Sequence, residues 1–255
     1  MMRSTRHKSS AFTMIELLVV VAIIALLVTI LVPTVTAARN LAKLTVCLSQ
    51  QRSLGNAWML YLEDSKEWFP PQRQNMQYFY GGKDPCLYVQ YNPGFMLPVR
   101  PLNPYVGRSY AKEQSAEVFR CPANREIREL TQGREVTQGY PVYDWWGNCY
   151  PLNGFLLMRF DPDALAWIPG KAVSYRDVRT PLSKTVLLGD SQWYYTTTFE
   201  PGSYVYDAYF HNREDRMNAT FLDGHAATIQ FVLGKDVTPD YTVPIYYLPD
   251  PPGGP

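Results

Sequence analysis

Two histidines and two aspartates in the last third of the chain are of the types that bind metal ions or activate water: Asp190, His211, Asp223 and His225. Neutral imidazole nitrogens and carboxylate oxygens are suitable ligands for divalent transition metals. Asp223, however, precedes Gly224 in a pair typical of tight hairpin turns, and His225 would begin the next strand. The turn accounts for Asp223 and His225 without a metal. We therefore expect no metal site, and name His211, Asp223 and His225 as the ligands that one would use.

Sequence patterns that usually mark enzymes are missing from the chain. It contains no GxSxG nucleophile elbow, no HExxH zinc motif, no P-loop and no dinucleotide fingerprint. The formal net charge of +1 also supplies no basic excess that would attract nucleic acid. We expect a protein that is not an enzyme, carries no cofactor and binds no nucleic acid.

The strongest change in composition lies at the N-terminus. A basic stretch containing Arg3, Arg6 and Lys8 is followed by the apolar residues 12–32, in which Glu16 is the single charge. This length matches the ~20 residues that a helix needs to cross a bilayer. A basic flank is normally retained on the cytoplasmic side, so the remainder of the chain is predicted to lie outside the cytoplasm.

Glu16 is the residue of this segment that most needs a chemical explanation. A carboxylate is costly in hydrocarbon, and it normally indicates a functional role and a charged partner. The α-amino group of a neighbouring subunit would be such a partner, in an anchor that also polymerises. Two alternatives remain on the residues alone. Glu16 can lie near the membrane interface in a permanent anchor, or the segment can be a secretory signal cleaved after Val35-Thr36-Ala37.

The string AFTMIELLVVVAIIALLVTILVP closely resembles the N-terminal segment of prepilins, the precursors of type IV pilins and type II secretion pseudopilins. The resemblance implies a leader of residues 1–11, cleavage between Ala11 and Phe12, and N-methylation of Phe12. It implies that Glu16 is the fifth-position acid used in assembly and that Pro33 kinks the helix. Ala11 departs from the family, which usually has glycine before the cleavage site.

The helix is predicted to continue beyond the membrane and to end before Pro70. Residues 12–35 would form its transmembrane half, and residues 36–65 an amphipathic half. The apolar positions of the amphipathic half recur at near-helical spacing: Leu44, Cys47, Leu54, Trp58, Tyr61 and Leu62.

The rest of the chain is predicted to form a head with three parts. Residues 66–182 are rich in Pro, Gly and Tyr and predict a loop-rich variable region with short strands. Residues 183–233 predict a β-sheet region whose hairpin turns at Asp223-Gly224 in a type I′ turn. Residues 234–255 predict an extended Pro-rich tail.

Two further stretches resemble a bacterial subgroup of the same prepilin-like proteins. They are CLSQQRSLGNAWMLYLEDSKEWFP and the pair VLLGDS and HNREDRMNATFLDGHA. In that subgroup a histidine precedes an Asp-Gly pair, which makes His211 the corresponding residue here. The spacer between His211 and Asp223 is longer than the usual one.

The four cysteines include no CxxC pair. Because an exported head meets oxidising conditions, we expect Cys121 and Cys149 to form a disulfide, the alternative being four buried thiols. The clustered tryptophans also allow two interpretations. Trp145, Trp146 and Trp193 can bind a sugar, or they can close a small core or a subunit contact.

The resemblance implies an α+β, pilin-like protein with one long N-terminal helix packed on a small antiparallel sheet. It implies a structural subunit of a type IV pilus-like or type II secretion filament, anchored singly in the bacterial inner membrane before assembly, with its head in the periplasm or outside the cell. Expected partners are other pilin or pseudopilin subunits, a prepilin peptidase, an inner-membrane assembly platform and membrane lipid. The alternatives are an exported carbohydrate- or surface-binding protein and a membrane-tethered metallohydrolase.

Overall fold

The long N-terminal helix, α1, runs from Met14 to Asp64. The computed structural model describes residues 13–71, 76–83, 85–91, 100–107, 117–124, 126–131, 134–157, 159–161, 166–168, 172–193, 197, 204–206, 211 and 216–244. The chain divides into two units, Met1–Ala42 and Lys43–Pro255, and α1 contributes to both.

The first unit consists, in its described part, of the apolar half of α1. Every residue from 13 to 39 is exposed, and among the described residues α1 is long and apolar enough to cross a membrane. The hydroxyls of Thr29 and Thr36 donate to the carbonyls of Ala25 and Val32, at 2.7 and 2.9 Å, so they bring no unsatisfied polar group to an apolar surrounding.

Pro33 lies inside α1, and the helix continues through it. Proline has no N–H to donate, so one backbone hydrogen bond is lost there without ending the helix. The kink expected at Pro33 remains a prediction.

The second unit contains the other α-helices and the strands that the structure describes. In chain order these are α2 (Met76–Phe79), α3 (Leu87–Tyr91), β1 (Glu126–Thr131), β2 (Arg134–Pro141), α4 (Val142–Trp146), β3 (Arg159–Asp161), β4 (Ala166–Ile168), β5 (Val186–Gly189), β6 (Tyr204–Tyr206), β7 (Arg216–Phe221) and β8 (Ala226–Gln230).

The sheet that packs on α1 is the antiparallel β5-β7-β8. The side chains of β7 alternate between its two faces, as the twofold period of a strand requires. Asn218 and Thr220 face α1: the Asn218 amide donates to the carbonyl of Leu44 at 3.2 Å, and the Thr220 methyl meets the helix at Gly55. Met217, Ala219 and Phe221 contribute to a separate apolar cluster.

Two apolar clusters therefore form the core of the head. The larger one includes the buried side of α1 and residues of the loop-rich region. Its members on α1 are Cys47, Leu54, Ala57, Trp58 and Leu62. The second cluster combines β7 with Val186, Trp193, Phe231, Tyr241 and Val243.

The loop-rich region supplies the β3-β4 hairpin and two strands of the sheet β2-β1-β6, whose third strand, β6, comes later in the chain. It is tied to the main sheet by Asn153, whose buried amide donates to the carbonyls of Val186 and Val243, each at 2.8 Å. Such bonds replace the regular secondary structure that the Pro- and Gly-rich sequence does not form.

The turn between β7 and β8 differs from the predicted type. The register pairs Thr220 with Ala226, and Phe221 N–H donates to the carbonyl of His225 at 2.9 Å, so the loop has three residues instead of two. Gly224 N–H closes the turn on the carbonyl of Phe221 at 3.0 Å, and Gly224 has φ of +88°. The type I′ prediction is wrong, because the chain uses a three-residue loop ending on a left-handed glycine.

The start of the predicted Pro-rich tail is part of the core. Tyr241 and Val243 are buried, and Thr242 exchanges backbone hydrogen bonds with Lys184 and Val186, at 2.8 and 3.0 Å. Residues 245–255 lie outside the described part. The fold as a whole is α+β and pilin-like, with a long apolar N-terminal helix and a small three-stranded antiparallel sheet.

Candidate assembly segment and buried thiol cluster

Glu16 caps the start of α1. Its Oε2 accepts hydrogen bonds from the backbone N–H and the hydroxyl of Thr13, at 2.9 and 2.8 Å, and the Thr13 hydroxyl accepts from Glu16 N–H at 3.3 Å. This is the reciprocal arrangement of a capping box, which satisfies N–H groups that the first helical turn leaves unpaired. The carboxylate thus has a partner within its own chain.

The sequence carries a signal for this cap. Thr13 and Glu16 stand in the spacing Thr-x-x-Glu directly before an apolar run, which is the usual signature of a capping box. The cleavage and methylation residues, Ala11 and Phe12, lie outside the described residues, so their predicted roles remain predictions.

A second group of polar residues is buried where α1 meets the sheet, around the carboxylate of Asp190. Oδ1 accepts from the Gln51 amide at 2.7 Å and from the Cys47 thiol at 3.1 Å, and Oδ2 accepts from Asn218 N–H at 2.8 Å. Burial raises the pKa of Asp190 to about 6, although these three donors oppose the shift. The group links α1, the end of β5 and β7.

Cys47 also belongs to a thiol and imidazole cluster. The sulfurs of Cys47 and Cys121 and a ring nitrogen of His211 all lie within 4.8 Å of one another, and all three residues are buried. Cys121 Sγ is 3.4 Å from His211 Nε2. His211 was named as a possible ligand from its residue type, but its association with Cys47 and Cys121 was not predicted, because the three residues are far apart along the chain.

The disulfide expected between Cys121 and Cys149 is not present. All four cysteines are buried thiols, which is the alternative that the sequence left open. Cys149 Sγ donates to Asn124 Oδ1 at 3.5 Å, while Cys121 packs against His211. Burial raises the pKa of the Cys47, Cys121 and Cys149 thiols, so each favours its neutral form at neutral pH.

The metal ligands suggested by the sequence are placed in two different surroundings. Asp223 and His225 form a pair on the partly exposed hairpin, where His225 Nδ1 lies 2.5 Å from Asp223 Oδ1 and the imidazole stacks on Phe221. His211 instead lies in the buried cluster with the cysteines. These contacts stabilise the turn of the hairpin.

The three tryptophans named from the sequence also have different surroundings. Trp193 is fully buried in the second apolar cluster and is therefore not a sugar platform. Trp145 stacks between Tyr91 and Tyr140, with ring centroids 5.8 and 6.0 Å away, and Trp146 likewise stacks on tyrosines. These two indoles are half-buried at the edge of the larger apolar cluster, and their role in sugar binding or in a subunit contact stays a prediction.

Comparison with known families bears on the N-terminal segment. A model of the prokaryotic N-terminal methylation motif matches residues 6–32. The chain is prepilin-like at its N-terminus. Comparisons with curated proteins and with solved structures find no match. The motif and the apolar half of α1 together fit a protein anchored in a membrane by a single span.

Proposed function

We propose that this protein is a structural subunit, a pilin or pseudopilin, of a type IV pilus-like or type II secretion filament. The observation that carries the proposal is the methylation motif at residues 6–32, coinciding with an apolar helix that is exposed along its whole length from residue 13 to residue 39. An exposed apolar surface of this size requires either lipid or other subunits around it.

The helix α1 has a role both before and after filament assembly. Before assembly its apolar half lies in the inner membrane, with the head in the periplasm. On extraction, contacts with lipid are exchanged for contacts with the apolar helices of neighbouring subunits. A head-to-tail arrangement that does not close on itself can then grow into a fibre.

Glu16 would supply the polar contact that sets the register of the fibre. In the single chain its carboxylate accepts from Thr13. In the fibre it would neutralise the α-amino group of Phe12 on an adjacent subunit, because an unpaired ammonium among apolar helices is strongly unfavourable. A carboxylate can accept several hydrogen bonds, so capping and pairing are compatible.

Each step from precursor to filament implies a partner for the subunit. A prepilin peptidase would remove residues 1–11, membrane lipid would hold the precursor, and an inner-membrane platform would pass it to the other subunits. The role is structural, and catalysis belongs to the peptidase.

The experiment that tests this proposal separates the charge of Glu16 from its capping function. Glu16→Gln retains a side-chain oxygen that can cap Thr13 but removes the charge. Thr13→Val removes the hydroxyl of the cap and keeps the charge. Each variant is co-expressed with the parent, and its share is measured in the membrane fraction and in the sheared filament fraction.

We expect Glu16→Gln to be depleted in filaments by about 100-fold or more, since an unpaired buried charge costs about 3 kcal/mol or more. Thr13→Val should enter filaments close to its share in the membrane. Incorporation of Glu16→Gln at its membrane share would contradict the pairing of charges, and equal depletion of both variants would show that the filament needs the cap instead.

A further inference from the structure

The buried thiol and imidazole cluster has the composition of a metal site. Two sulfurs, from Cys47 and Cys121, and a ring nitrogen of His211 converge within 4.8 Å. Thiolate and imidazole are the ligands that bind zinc in structural sites, at ~2.3 and ~2.0 Å from the ion. Tetrahedral geometry with these bond lengths separates sulfur from nitrogen by about 3.5 Å, and the distance from Cys121 Sγ to His211 Nε2 is 3.4 Å.

Asp190 lies beside one of these ligands, Cys47. Its Oδ1 is 3.1 Å from Cys47 Sγ, and the carboxylate is held in place by the Gln51 amide and Asn218 N–H. Carboxylate ligands of metals are commonly fixed by outer hydrogen bonds of this kind. Asp190 lies outside the group of three that converge within 4.8 Å, so its carboxylate has to shift toward the ion to supply a fourth ligand.

Both sulfurs of the cluster accept hydrogen bonds from neighbouring N–H groups. Ala123 N–H donates to Cys121 Sγ at 3.3 Å, and the Gln51 amide donates to Cys47 Sγ at 3.5 Å. Outer hydrogen bonds of this kind orient the ligands of a metal site.

The backbone conformation of His211 also supports a metal site. Its φ is +66°, which a residue other than glycine adopts at a cost in free energy. Such a conformation persists where the surroundings enforce it, and a bond from the imidazole to a metal ion would supply that constraint.

We propose that Cys47, Cys121 and His211 bind one Zn²⁺ ion, with the carboxylate of Asp190 as the fourth ligand. Binding transfers the two thiol protons to solvent and forms two zinc–sulfur bonds, one zinc–nitrogen bond and one zinc–oxygen bond, with no change of oxidation state. The ion joins α1 to the segment after Glu117–Phe119, to the end of β5 and to His211. Its role is structural, since it fastens the loop-rich region and the sheet to the helix.

The test uses the full-length protein, purified in detergent under reducing conditions without chelator. We expect about one zinc ion per chain, as a structural site requires. Replacement of zinc by Co²⁺ should give the intense visible bands of tetrahedral cobalt and a thiolate-to-cobalt charge-transfer band in the near ultraviolet. This measurement on the parent protein does not depend on whether any variant folds.

Matched variants assign the ligands. Cys47→Ala, Cys121→Ala and His211→Ala should each lose the ion, whereas Cys86→Ala, which removes a buried cysteine outside the cluster, should retain it. Stripping the ion with a strong chelator should lower the unfolding temperature of the parent and of Cys86→Ala.

Three results would overturn the proposal. They are the lack of zinc and cobalt binding by the reduced parent, a disulfide between Cys47 and Cys121 in protein isolated from the membrane with its thiols blocked, and equal loss of metal from Cys86→Ala. None of them bears on filament assembly, which the Glu16 and Thr13 variants test separately.

Discussion

Single residues carry two kinds of information in this protein, and Glu16 shows both. A carboxylate inside the apolar segment indicates a functional role, because a lone charge is unfavourable in hydrocarbon. Its capping of Thr13 follows from a different rule, the Thr-x-x-Glu spacing at the start of a helix. A residue can satisfy both rules, so the variants that test its role have to remove one property at a time.

Gly224 is a residue whose role depends on backbone conformation alone. Its φ is +88°, and a Cβ added there would meet no atom within 4 Å. Gly224→Val should therefore destabilise the protein by about 1 kcal/mol through backbone strain alone, and Gly224→Asn should cost less because asparagine tolerates this conformation. Urea unfolding of the full-length protein in detergent measures the difference, and equal stability of Gly224→Val and the parent would contradict the turn geometry.

At the scale of elements, the contact between α1 and β7 explains an otherwise unfavourable glycine. Gly55 lies in the interior of α1, where glycine costs about 1 kcal/mol relative to alanine. A Cβ at this position would lie 2.6 Å from the Cγ2 methyl of Thr220, which is closer than van der Waals contact allows. Gly55 thus permits the close approach of the helix to the sheet.

A double-mutant cycle tests this contact. Gly55→Ala should destabilise the protein with Thr220 in place, because overpacking costs about 1–3 kcal/mol and exceeds the gain in helix propensity. With Thr220→Ala the methyl is gone, and Gly55→Ala should become neutral or stabilising. Unfolding free energies of the four proteins should show a coupling of about 1 kcal/mol or more. Additive effects would contradict the close contact.

The elements differ in how far the sequence predicted them. Apolar composition and length identified α1, and the Asp223-Gly224 pair identified the β7-β8 hairpin, since both signals are local. The number of residues in the loop could not be predicted, because Asp-Gly occurs in both two-residue and three-residue turns. The pairing of Thr220 with Ala226 decides between them. The buried thiol cluster depends on tertiary packing that brings Cys47 to His211, and no spacing rule connects residues so distant.

At the scale of the whole molecule, the chain combines an exposed apolar helix with a head that has its own core. The head buries Trp58, Trp193 and Tyr150, and its hydrogen bonds link α1 to the sheet through Asp190. The apolar half of α1 has no such partners among the described residues of its unit, and its surface is the part of the molecule that needs lipid or other subunits. This division is what a membrane-anchored precursor of a filament requires.

The central claim is that the chain is a prepilin-like precursor, and the mature N-terminus tests it most directly. Mass spectrometry of the protein extracted from bacterial membranes should show a chain that begins at Phe12 with a methylated α-amino group, as the motif at residues 6–32 implies. A matched control with Phe12 and Glu16 intact but Ala11→Gly should give the same terminus, because glycine is the usual residue before the cleavage site. A mature chain that begins at Ala38 would establish an ordinary signal peptide and contradict the account.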